Sequence, residues 1–287
     1  MLNSVSETAL LTLKARAVET EKDSPLIKDP RSLELLHRIR SLELTPSQRA
    51  MLDRKLPASL TSYIALRARK YDSYAAEFLN EFPSGLIVSL GAGFDTRYWR
   101  IPAKPDQYVE VDLPDVIGAK RNILGGDPEY EMIGCSVLEQ EWMDRIALKQ
   151  KENLLLLAEG LLMYLPEMEV VRLLKKLASG FPGSRIVIEV VHQKYTRGMR
   201  NRMVEAKMRR RGGTEEGDSY QYGISEGKEL ESYASNLQLI GEWSYFEEPD
   251  LRPAALRLLR HFKAFSRTQW TVRAKINEHP GTRMLRP

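Results

Sequence analysis

The chain has 287 residues, 43% of them hydrophobic, enough to bury one large α/β core, and a single domain with a helical extension is the simplest division. Its 43 basic and 39 acidic residues leave a formal charge of +4, too close to balance for general attraction to nucleic acid. A lone cysteine, Cys135, excludes an internal disulfide and any cysteine-rich zinc spacing, so no metal site and a cytoplasmic location are expected.

The opening stretch, MLNSVSETALLTLKARAVE, mixes acids into a helical spacing instead of setting a basic segment before an apolar one. No signal peptide is therefore expected, and the mature chain is expected to begin here. Leu10, Leu13 and Ala17, then Leu35, Leu36 and Ile39, recur at helix spacing, and Thr45-Pro46 pairs an N-cap with a proline at the first helical position. A longer helix is predicted over 58–82, completing an N-terminal helical extension, 1–82, packed on a core of 83–287.

After Pro83-Ser84-Gly85 the pattern changes to short apolar runs at 86–90, 108–112, 132–135, 154–158, 185–191, 238–246 and 269–276, with helical stretches between them. That alternation predicts an α/β fold, built of βαβ units around a mostly parallel sheet of about seven strands with helices on both faces. The longest apolar run, 154–165, is about half the length of a membrane span and holds Glu159, so it reads as a buried strand and its exit. An insertion at 194–227, basic and then glycine-rich, has the length of a lid. Within it Met199, Met203 and Ala206 recur at helical spacing beneath a basic face, which suits either a cap that attracts an anionic acceptor or a solvated amphipathic helix.

Two signals carry chemistry. In LIVSLGAGFDTRYWRI, 86–101, an apolar strand runs into Gly91-Ala92-Gly93 and an expected helix start, where glycines let a ligand approach backbone N–H groups. In YVEVDLPDV, 108–116, Asp112 ends the next strand, placed to accept the two ribose hydroxyls of a nucleoside. Glu110 should point the same way, and Asp115 reads as a helix-start residue. A nicotinamide dinucleotide site is the alternative, but its fingerprint has a third glycine where this chain has Thr96.

The segments RARKYDSYAAEFL, VSLGAGFDTRYWRI, VEVDLP and AEGLLMYLP, in this order and spacing, resemble the leucine carboxyl methyltransferase family, which includes bacterial relatives known as polyketide O-methyltransferases. The resemblance covers about residues 67–189 and implies a Rossmann-like class I methyltransferase fold with S-adenosylmethionine as cofactor. It implies that Arg67 holds the methionyl carboxylate, that Gly91, Ala92 and Gly93 line the cofactor, that Asp112 and Leu113 take the ribose side, and that Glu159-Gly160 face the methionyl end. Those roles suit a ligand carrying a carboxylate, an ammonium and a sulfonium. Independently, Glu159 in so apolar a run needs a partner. Where relatives often place Asp-Leu for the adenine, this chain has Ser136-Val137, which are taken as the adenine contacts.

Methyl transfer from a sulfonium requires alignment of the acceptor and exclusion of water. A carboxylate acceptor is already anionic at neutral pH, whereas a phenol benefits from a base. His192 and Tyr164, at the sheet's carboxyl edge, are the candidate catalytic residues, against the plainer readings of a loop histidine and a packed aromatic. A nucleic-acid base acceptor is disfavoured because Glu159-Gly160-Leu161-Leu162 stands where base amino-methyltransferases carry Asp/Asn-Pro-Pro-aromatic. The expected function is O-methylation of a small-molecule carboxylate or hydroxyl. A protein C-terminal carboxyl methyltransferase and a cofactor-binding relative without turnover are the alternatives.

Overall fold

The computed structural model describes residues 7–149, 151–196 and 219–278. The helix expected around Met199, Met203 and Ala206, and most of the lid-like insertion, lie outside the described residues.

Strands β1 (Leu86–Leu90), β2 (Tyr108–Asp112), β3 (Glu131–Gly134), β4 (Leu154–Ala158), β5 (Arg185–Val191), β6 (Leu237–Trp243) and β7 (Gln269–Ile276) form one sheet in the order β3-β2-β1-β4-β5-β7-β6. Only β7 runs against the direction of the other six strands. Strands β1 and β4 are buried at every position, and apolar but for Ser89, because parallel strands are covered on both faces. The chain crosses from β1 outward to β2 on one side and later to β4 on the other, so a crevice opens at the carboxyl ends of these strands.

Alternate strand residues feed two apolar layers. Val88, Val111, Leu156 and Ile188 face Trp142 of α6 (Glu141–Leu148) and Leu173 and Leu177 of α7 (Glu167–Gly180). Ile87, Tyr108, Leu155 and Val187 face the other way, toward α5 (Pro114–Leu124) and the four N-terminal helices. Those are α1 (Glu7–Thr20), α2 (Pro30–Arg40), α3 (Pro46–Asp53) and α4 (Ala58–Glu81). Leu10, Leu13, Leu35 and Ile39, which carried the helical spacing, are fully buried in this layer. Thr45 caps α3 as its sequence predicts: its hydroxyl accepts from Gln48 N at 3.2 Å and Gln48 accepts in return from Thr45 N.

The connection from β1 to β2 departs from expectation. No α-helix follows Gly91-Ala92-Gly93; the segment makes single 3-10 turns at Arg97–Trp99 and Pro105–Gln107. Asp95 accepts from the backbone N–H groups of Thr96 and Arg97, a local bond that competes with helix, and Pro102 and Pro105 close off the space in which one could grow. Without a helix N-terminus behind the glycines, the pyrophosphate seat of a dinucleotide fold is missing there.

Candidate functional site

A cavity of about 350 Å³ lies at the carboxyl ends of β1, β2 and β4, roofed by the Thr8, Ala9, Thr12 and Arg16 face of α1. Gly91 and Gly93 adopt left-handed backbone, with φ of 62° and 51°. Gly91 N donates to Val111 O at 2.8 Å, and a Cβ on Gly91 would sit 2.7 Å from Leu161 Cδ1, so the turn admits only glycine without a shift of the neighbouring wall.

At one end of the cavity stands Asp112. Its Oδ2 accepts from Gly93 N at 2.6 Å and its Oδ1 from Leu113 N at 2.7 Å. Burial raises its pKa above the usual value while the Gly93 and Leu113 amides pull it back. Leu113, 53% exposed, and Val116 offer an apolar surface beside it. Ser136 and Val137 are not on the cavity wall: Val137 is buried in the α6–α7 layer, its carbonyl accepting from Trp142 Nε1, and the Ser136 hydroxyl accepts from Leu138 N. Glu110 does share a face with Asp112, but deeper, where it pairs with fully buried Lys120 at 2.7 Å. Burial lifts its carboxyl to about 7 despite the lysine. Lys120 also donates to Asp95 O, bracing the loop from behind. Asp115 lies in the first turn of α5.

The other end is built from charge. Arg67 on α4 donates from Nε to Glu159 at 2.7 Å and from Nη1 to Glu189 of β5 at 2.9 Å. Arg97, 1% exposed, bonds the second Glu159 oxygen, Asp95 and Asp72. Arg100 joins Asp72, Asp95 and Asp29, and Arg16 of α1 joins Asp29 and donates to Phe94 O at 2.7 Å. Four arginines and five carboxylates thus form one continuous network from α1 to β5. Burial opposes ionisation of Glu159, but Arg67 and Arg97 outweigh it and hold its pKa below the usual value. The partner that Glu159 needs is this pair of guanidiniums.

Arg97 and Asp95 were missed in the sequence although they are the last letters of GAGFDTR, because a charged pair after a turn reads as solvated surface. Glu189 had the signal that Glu159 had, a carboxylate inside an apolar strand. The α1 residues gave none, since the contact of Arg16 with Phe94 spans 78 positions.

Tyr164 lines the cavity near Arg67, Met163 and Gln269, and its ring packs on Tyr220 at 5.7 Å. The return of the insertion is tied down here, Gln221 N donating to Met163 O at 2.8 Å. His192 does not line the cavity. It starts a 3-10 turn, its Nδ1 accepting from Lys194 N at 3.2 Å and its own N–H donating to Thr268 O, which turns the ring to a local backbone role.

A ligand with a ribose diol, an aromatic base and an amino-acid head would meet Asp112, then Leu113 and Val116, then Arg67 and Glu159 across one glycine-lined cavity. S-adenosylmethionine is such a ligand, and methyl transfer from it is the chemistry that this fold and cavity serve. The chain belongs to the leucine carboxyl methyltransferase family, whose model matches residues 9–178, more than half its length. It is 29% identical over 261 residues to the tetracenomycin polyketide synthesis O-methyltransferase TcmP of Streptomyces glaucescens, covering 88% of this chain and 87% of that one. It is 31% identical over 196 residues to the S-adenosyl-L-methionine-dependent methyltransferase dpfgK of Gibberella zeae, covering 66% and 65%. The crystal structure of a DUF574 family protein of Streptomyces avermitilis shares the fold, with a TM-score of 0.54 at 15% identity over 84% of this chain and 95% of that one. Among the described residues no helix is long and apolar enough to cross a membrane.

Proposed function

We propose that this methyltransferase methylates an oxygen of a small molecule, and that the oxygen belongs to a carboxylate. The observation that supports this most is how the cavity's groups are engaged: among the described residues no histidine or lysine lines it, Glu159 and Asp95 are held by arginines, and Asp112 accepts from the Gly93 and Leu113 amides. An acceptor that arrives ionised requires no base. TcmP, whose name assigns it to O-methylation in tetracenomycin polyketide synthesis, supports a small-molecule acceptor.

The cofactor supplies a methyl group already activated on a sulfonium. Asp112 would hold the ribose hydroxyls, Leu113 and Val116 would cover the base, and Arg67 would grip the methionyl carboxylate. Glu159, kept ionised, gives the sulfonium end a fixed negative charge. Leu161, Met163 and Tyr164, which line the cavity, would exclude water from the acceptor's approach.

The test is a panel of aromatic and aliphatic carboxylic acids, phenols and a peptide ending in leucine, incubated with S-adenosylmethionine and read as S-adenosylhomocysteine formed. The methylated product is then treated with mild alkali. Release of methanol marks a methyl ester and supports the proposal; an alkali-stable methyl ether overturns it in favour of a hydroxyl acceptor.

A further inference from the structure

Glu189 lies outside the cavity wall and is 1% exposed, and yet it collects four bonds, as many as Arg67 on that wall's charged end. It accepts from Arg67 Nη1 at 2.9 and 3.2 Å, from Gln269 Nε2 at 2.8 Å and from the Tyr63 hydroxyl. Tyr63 lies one helical turn before Arg67 on α4 and itself accepts from Arg67 Nη1 at 3.1 Å. Burial raises the Tyr63 hydroxyl well above its usual pKa, so it remains a donor. Glu189 therefore uses both oxygens, and its three partners come from two elements, so that α4 and β7 are both fastened to β5.

The consequence falls on Arg67. With Nε committed to Glu159 and Nη1 to Glu189 and Tyr63, the guanidinium plane cannot rotate without breaking a charge-assisted bond. Nη2 is left without a protein partner among the described residues, beside Gly160 on the cavity wall, 3.8 Å from where that glycine's Cβ would stand. Gly160, with φ of 67°, keeps this approach open, since a side chain there would stand over Glu189 and Arg67.

The structure assigns Glu189 as a positioning residue for the cofactor's amino-acid end: it fixes Arg67 so that Nη2 faces the methionyl carboxylate, with Tyr63 and Gln269 holding it in turn. This rests on the cofactor site proposed above, and the test separates the two. Titration calorimetry is performed with two probes, S-adenosylhomocysteine and 5′-methylthioadenosine, which lacks the aminocarboxylate. Failure of the unaltered protein to bind S-adenosylhomocysteine would refute the site itself.

Given that binding, Glu189→Gln should weaken S-adenosylhomocysteine about 10- to 100-fold, the worth of a charged hydrogen bond, and leave 5′-methylthioadenosine within about twofold. One amide cannot accept from Arg67, Tyr63 and Gln269 at once. Tyr63→Phe, which removes no charge, should show the same selectivity with a smaller loss. In an Arg67→Ala background, Glu189→Gln should cost nothing further, since the two act as one unit. Equal weakening of both probes, or additive losses in the double variant, would show that Glu189 only supports the fold and would overturn the assignment.

Discussion

Replacing Arg97 by leucine should destabilise the protein in a way that depends on pH. The side chain is 1% exposed and bonds Asp72, Asp95 and Glu159. Removing one partner of a buried ion pair costs about 3–5 kcal/mol because it strands the other charge. Here the three carboxylates keep second partners, Arg100 for Asp72 and Asp95 and Arg67 for Glu159, which places the cost near the lower bound, about 3 kcal/mol. At about 2–4 °C per kcal/mol, the melting temperature should fall by about 6–12 °C at pH 7.5.

The sign of the pH effect follows from the carboxyl groups. Burial opposes the charge on Asp95, but Arg97 and then Arg100 hold its pKa well below the usual value, and Glu159 is lowered by Arg67 and Arg97. A depressed carboxyl contributes stability above its unfolded pKa that is lost as pH falls through its folded one. The variant lacks part of that contribution, so the deficit should be full at pH 7.5, above the unfolded carboxyl range, and smaller at about pH 3, below it. Urea unfolding at both pH values measures it. A deficit below about 1 kcal/mol, or one of equal size at both, would mean that the network is screened like a surface cluster and would refute the reasoning.

Two further substitutions test the site's walls. Gly91→Ala should cost about 2–4 kcal/mol from left-handed strain and the contact with Leu161, whereas Gly118→Ala, with nothing within 4 Å in α5, should stabilise by about 0.5–1 kcal/mol, both read by urea unfolding. His192→Ala should leave kcat/KM for an acceptor found by the panel within about threefold, since loss of a general base costs about 100-fold or more; a fall of that size would restore His192 as the base.

The strands were legible because parallel strands buried on both faces appear as largely apolar runs, so β1, β2, β4 and β5 begin and end where the runs do, and antiparallel β7 matches its run as well. The cavity was legible where its residues sit at strand ends: Gly91 and Glu159 follow β1 and β4 directly, Asp112 ends β2, and β1 lies between the other two strands. The β1–β2 connection was not, because a glycine turn followed by charged residues suits a helix as well as a loop. Only the inward pairing of Asp95, Arg97 and Arg100 decides it. The roof from α1 depends on tertiary contacts that no local pattern encodes. His192 was placed at the right edge of the sheet, but its ring serves the next turn of backbone.

The most direct measurement is calorimetric titration of the protein and of Asp112→Ala with S-adenosylmethionine, S-adenosylhomocysteine and NAD. Saturable binding of the first two, weakened about 10- to 100-fold in the variant as befits a lost charged hydrogen-bond acceptor, with no NAD binding, is the predicted result. Binding of NAD alone, or cofactor binding indifferent to Asp112, would contradict the site.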